Sequence, residues 1–154
     1  MTARERLVEL GLELPSVVPP VAAYVPAVRS GNLVFTSGQL PVSEGRMEVT
    51  GKVGALVTPE QGKDLARLCA LNSLAAIDAL VGLDRVVRVV KVVGFVASAP
   101  DFTGQPGVVN GASELLGDVF GDAGQHARSA VGVAALPLDA PVEVELVVEV
   151  DAGS

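Results

Sequence analysis

The stretch "VVRVVKVVGFVASA", residues 86–99, reads two ways, and the choice decides the fold. Arg85, Arg88 and Lys91 recur every three residues, the spacing of one helix face. The positions between them are valines, stiff at χ1 and better suited to a pleated surface than to a helix. Gly94 weakens the helical reading further. The stretch is therefore expected to be a strand over 85–98, apolar enough to be buried.

The neighbouring elements follow from local signals. "TPEQ" opens a helix at residues 58–61: Thr58 caps the amides, Pro59 suits the first helical position and Gln61 completes a capping box. Leu65, Leu68, Cys69, Asn72, Ala75, Ala76 and Ala79 then recur at spacings of three and four, and Gly82 is a natural stop. "VVNGASELLGDVFG" (108–121) reads as a second helix ending at Gly121, and "ASAPDFTGQPG" (97–107) as a long loop before it. Earlier in the chain, the Pro-rich "LPSVVPPVAAYVP" (14–26) reads as extended, with residues 1–20 as an N-terminal arm. "NLVFTSGQLPVSEG" (32–45) suggests a strand and turn, and "MEVTGKVG" (47–54) a second short strand. Two last strands flank "LPLDAP". The order β-β-α-β-α-β-β predicts one α+β domain over 1–154, a mixed sheet with two helices packed on one face. The other face stays apolar enough to need a partner.

Composition removes several function classes. The chain has 154 residues, is 49% hydrophobic and carries a net charge of −7. No apolar run reaches the length of a membrane span, and the acidic start lacks a secretory core, so a cytoplasmic protein is expected. The negative charge argues against nucleic-acid binding, which needs a basic face to displace counterions. "GRMEVTGKV" imitates a phosphate loop, but Val53 stands where Ser or Thr is required. With one His and one Cys, a metal site would have to be built mainly of carboxylates, and no EF-hand spacing exists. Cys69, on the apolar helix face, reads as a buried packing residue.

The final strand alternates: Val142, Val144, Leu146, Val148 and Val150 face one way, Glu143, Glu145 and Glu149 the other. Glu145 and Glu149 read as a solvated face, whereas Glu143 begins the strand beside the turn and could line a cleft. Arg128 opens the preceding strand between small residues. It fits either surface charge balance or a carboxylate clamp, since a guanidinium offers a planar fork matched to a carboxylate. His126 falls in a loop and reads as a bystander.

Taken in order, "PVAAYVPAV", "GNLVFTSGQLPV", "LVGLDRVV", "VNGASELLGDVF" and "ARSAVGVAALPLDAPVEVELVVEV" span nearly the whole chain. Together they resemble the RidA (YjgF) family of enamine/imine deaminases, also called the endoribonuclease L-PSP family. The resemblance implies a chorismate-mutase-like homotrimer with clefts between subunits, hydrolysing 2-aminoacrylate and 2-imino acids to 2-keto acids and ammonia. It implies that Arg128 binds the substrate carboxylate, that Glu143 stands near the imine carbon and its water, and that no metal or organic cofactor takes part. Tyr24, Ser37, Gly38, Asn110 and Ala130 would line the cleft. Ala130 stands where the family often has cysteine, so any thiol chemistry is lost there. The same cleft would also suit a non-catalytic ligand-binding or chaperone-like trimer. An endoribonuclease or translation inhibitor is a third reading, poorly served by one Tyr and no Trp.

If the last two strands form a simple hairpin, Glu143 lies opposite Ala135 and Arg128 falls on the order of 20 Å away at about 3.3 Å per residue. One chain would then not hold both around a small substrate: either a neighbouring subunit completes the site or one of the two assignments is wrong, and the apolar surplus favours the neighbour.

Overall fold

Val86–Ala97 is a strand in the computed structural model, which describes residues 1–17 and 23–153. In chain order the elements are helix α1 (Ala3–Glu9), strands β1 (Ala27–Ser30) and β2 (Leu33–Thr36), and helix α2 (Pro59–Val81). Strand β3 (Val86–Ala97), helix α3 (Gln105–Phe120) and strands β4 (Ala127–Val133) and β5 (Val142–Val150) follow. The strands make one mixed sheet ordered β1-β2-β5-β3-β4, with β3 parallel to β4 and the other pairs antiparallel. The fold is α+β, with α2 packed on β5 and α3 on β3 and β4.

Helix α2 starts and stops where its local chemistry demands. Thr58 Oγ1 accepts from the Gln61 amide, Gln61 Oε1 accepts from the Thr58 amide at 2.8 Å, and Gly82 ends the helix at φ +92°. Its buried face is wider than the predicted stripe: Ala66, Ala70, Leu74 and Ile77 are buried as well, while Ala79 is exposed. The reason is that the sheet covers one side of α2 and α3 covers another. Beneath the helices lie Val34, Val89, Val92, Val96, Val142, Val144, Leu146 and Val148, all buried.

Three expectations are corrected. Residues 3–9 of the expected arm are a helix, held by a Thr2–Glu5 capping box, burial of Leu7 and an Arg4–Asp78 ion pair to α2. Of the Pro-rich stretch, residues 18–22 lie outside the described residues, and 12–17 and 23–26 are neither helix nor strand. "MEVTGKVG" forms no strand; Gly51 and Gly54 take φ +115° and +92°, left-handed values that interrupt any ladder. Its backbone is tied instead by Gly51 N to Asp139 O and Val53 N to Ala97 O. Finally, β4 and β5 are not a hairpin, because β3 lies between them. Leu138 and Asp139, both left-handed at φ +59° and +58°, help turn the chain in the connection between them.

The two long helices approach closely at Gly111. A Cβ there would fall on the backbone carbonyl of Lys63 in α2, which has no rotamer to yield. Alanine is the better helix former by about 1 kcal/mol. Gly111→Ala is nonetheless expected to destabilise by about 1–3 kcal/mol through overpacking. Urea denaturation reads this directly, and a variant as stable as the wild type would show that α2 and α3 separate at no cost.

Candidate functional site

The sheet sorts the predicted site residues into two groups on opposite faces. In register, Arg128 pairs with Val92 and Glu143 with Phe95 of the intervening strand β3. Paired residues share a face, and neighbours along a strand alternate. Gly94, between those two positions, faces α3, since a Cβ on it would meet Val109. Arg128, level with Val92, therefore lies on the helix side, and Glu143, level with Phe95, on the open side. Their Cα atoms are offset by three residues along the sheet and two strands across it, roughly 14 Å. The hairpin that first separated them is absent, but the separation stands on different grounds.

The first group sits where edge strand β4 meets α3. Arg128 Nη1 donates to Asn110 Oδ1 at 2.7 Å and to Ser113 Oγ at 3.2 Å, and Nη2 meets Pro106 O at 3.4 Å. A guanidinium has five N–H donors. The hydrogens on Nη1 are both engaged, whereas among the described residues Nε–H and one hydrogen of Nη2 have no partner. Those parallel donors match a carboxylate. Ala130, two residues on, leans toward the core on the same face.

The second group sits where the chain leaves β2 and runs beside the start of β5. Gln39 pairs with Val144 through two backbone bonds, carrying Ser37 and Gly38 past Glu143. Gly38 lets the backbone pass close to Glu143: a Cβ there would overlap the carboxyl group and make that side chain shift. Ser37 Oγ donates to Val25 O at 2.6 Å and its amide to Pro26 O, fastening the segment that carries the exposed Tyr24.

Burial, reinforced by the neighbouring Glu145, raises the Glu143 carboxyl above its usual value. A carboxyl whose folded value is raised contributes its stability fully below the unfolded value, and that contribution is lost as pH climbs through the folded one. Glu143→Gln removes the loss. The variant is expected to melt at or above the wild type at pH 8, with the difference vanishing near pH 4, where free glutamate is about half protonated. Melting curves across that range decide, and a less stable variant at pH 8 would refute the assignment. Behind Glu143, burial and then the same carboxylate push the Cys69 thiol well above its ordinary value. That matches a buried packing residue, not a nucleophile.

Sequence reasoning missed two members of the first group. Ser113 touches Arg128, and His126 Nε2 lies 2.9 Å from Ser113 Oγ. Ser113 shares an α3 face with Asn110 at the i, i+3 spacing, which was the available signal. Among the described residues no cluster of three or more His, Cys, Asp or Glu could hold a metal. No helix there is long and apolar enough to cross a membrane.

The open face of the sheet, around Glu143, exposes Val28, Leu33, Phe35 and Val131 in part. The arrangement has close relatives. TCP17 of Trypanosoma cruzi is 48% identical over 147 residues, 94% of this chain and 92% of that protein. A crystal structure of an Agrobacterium tumefaciens protein of unknown function is 47% identical, with a TM-score of 0.89 over 97% of this chain and 92% of the other. The 2-iminobutanoate/2-iminopropanoate deaminase of Escherichia coli K12 is 34% identical over 133 residues, 86% of this chain and 89% of the enzyme. Residues 4–150 match the family model described as YjgF/chorismate mutase-like, which also carries an endoribonuclease name. With that span matched and relatives of this identity and coverage, the chain belongs to the YjgF/chorismate mutase-like family.

Proposed function

We propose that the protein is a hydrolytic deaminase of small 2-imino acids, working in clefts between the subunits of a homotrimer. What carries this reading is the division of the site. The Arg128 group and the Glu143 group occupy opposite faces of one sheet, so a neighbour's sheet is needed to bring one of each together. The partly apolar open face supports such an assembly, because association would remove it from water. The E. coli relative named a deaminase supports the reaction class.

In the cleft, Arg128 holds the substrate carboxylate by its free Nε–Nη2 edge. Glu143 of the adjacent subunit, protonated, gives its proton to the imine nitrogen, which makes C2 more electrophilic. The resulting carboxylate takes a proton from the water that attacks C2, forming a carbinolamine. Passing that proton on to nitrogen makes ammonia the leaving group. As the C–N bond breaks, the carbinolamine hydroxyl returns its proton to the Glu143 carboxylate, leaving a 2-oxo acid and restoring the acid form of Glu143. A raised Glu143 value suits this work, since a general acid must still hold its proton near the working pH. No metal or organic cofactor enters these steps.

A coupled assay that generates 2-aminoacrylate tests the reading. The purified protein is expected to accelerate release of pyruvate and ammonia over the spontaneous rate. No acceleration would sink the enzyme reading, and retained binding of 2-oxo acids would then mark a ligand-binding trimer. RNA cleavage that survives rigorous purification and disappears in Glu143→Gln would replace it with the nuclease reading.

A further inference from the structure

We infer that His126 and Ser113 are positioning residues which fix the edge of Arg128 offered to the substrate, a conclusion that rests on the carboxylate-clamp reading above. The argument starts at the far end of the chain of contacts. His126 Nδ1 lies 2.6 Å from the carbonyl oxygen of Gly124. A carbonyl only accepts, so Nδ1 carries the proton. In a neutral imidazole Nε2 then holds a lone pair, and Ser113 Oγ, 2.9 Å away, donates to it. With its proton committed, the Ser113 hydroxyl can only accept from Arg128 Nη1.

The relay is directional from end to end: Arg128 N–H to Ser113, Ser113 O–H to His126, His126 N–H to Gly124. Its anchor lies close against the helix. Gly124 is buried on α3, so near that a Cβ would meet the Leu116 carbonyl. The imidazole is what keeps the serine pointed correctly. A helical serine without such a partner bonds back to the carbonyl four residues earlier, here Val109, turning its lone pairs away. Asn110 and Ser113, one turn apart, then occupy both Nη1 hydrogens, and the contact to Pro106 O is long at 3.4 Å. The Nε–Nη2 edge is the one left for a carboxylate.

Four variants test this: Ser113→Ala, His126→Phe, the conservative His126→Gln, and the double variant Ser113→Ala/His126→Phe. Ser113→Ala and His126→Phe are each expected to raise KM for the imino acid, and Kd for pyruvate, about tenfold, the value of one hydrogen bond to a charged group. kcat should stay within about threefold, because neither residue touches the reacting atoms. The double variant should be no worse than either single one, since both break the same relay. His126→Gln, whose amide oxygen can accept from Ser113, should recover part of the loss. Multiplicative losses in the double variant, or pyruvate binding unchanged in the single ones, would overturn the inference while leaving the deaminase reading intact. A wild type that neither turns over imines nor binds pyruvate would defeat that reading instead. The relay is then judged by nitrogen NMR at pH 8.5, where the only histidine gives an unambiguous signal. Protonation at Nδ1 and an Nε2 shift that moves in Ser113→Ala are expected; an Nε2–H tautomer overturns the relay.

Discussion

Arg128→Ala is expected to lower kcat/KM for 2-imino acid hydrolysis by about two to three orders of magnitude. The estimate rests on the cost of truncating one partner of a desolvated, hydrogen-bonded charge pair, about 2–5 kcal/mol. Most of it should appear in KM, because the carboxylate is held in the ground state as firmly as in the transition state. Arg128→Lys is the sharper comparison. It keeps the positive charge but presents a point donor where the fork was, so it should recover only part of the loss. Lysine also cannot satisfy Asn110 and Ser113 with one nitrogen while offering two parallel donors outward. Arg128 lies on an edge strand and is only partly buried, so neither variant should unfold the protein. Steady-state kinetics in the coupled assay decide. If Arg128→Ala retains the wild-type rate and KM, the clamp is not where the substrate binds.

How much of this could be read beforehand depends on how local each signal is. The capped start of α2 was legible because Thr58, Pro59 and Gln61 act on one helical turn, whatever the rest of the chain does. The identity of β3 was legible for a similar reason, since its valines constrain their own backbone. Its place in the sheet was not. Insertion of β3 between β4 and β5 is a pairing between distant segments, and "LPLDAP" looks locally like any turn between adjacent strands. Helix α1 had a readable sign, with Thr2 and Glu5 at capping-box spacing, but the following prolines drew the reading toward an extended arm. Arg128 and Glu143 stood out by type and position, but only the resemblance gave them roles, because alone each also fits a surface charge. Ser113 and His126 gave no sign together: thirteen residues separate them, and only the turn after α3 brings the ring to the hydroxyl.

Mixing two inactive variants tests the division of the site most severely. If the proposed roles hold, Arg128→Ala prepared alone lacks every carboxylate clamp and Glu143→Gln every general acid, so both should be nearly silent. On the proposed reading, trimers reassembled from equal amounts of the two would take the Arg128 group of each cleft from one chain and the Glu143 group from the next. A cleft is intact when an Arg128-bearing subunit of the Glu143→Gln variant meets a Glu143-bearing subunit of the Arg128→Ala variant in the right order. Random closure of a cyclic trimer makes about one cleft in four intact, so activity should return to about a quarter of the wild type. Were both residues to serve one site within a chain, every site would carry a lesion and no activity would return. The opposite faces of Arg128 and Glu143 on a single sheet are the reason the proposal expects the first result. Co-refolding at a series of mixing ratios extends the test, because the recovered rate should follow the product of the two fractions and peak at equal amounts. A recovered rate of zero from mixed trimers of the correct mass would place the two residues in one chain's cleft, or remove one of them from the site altogether.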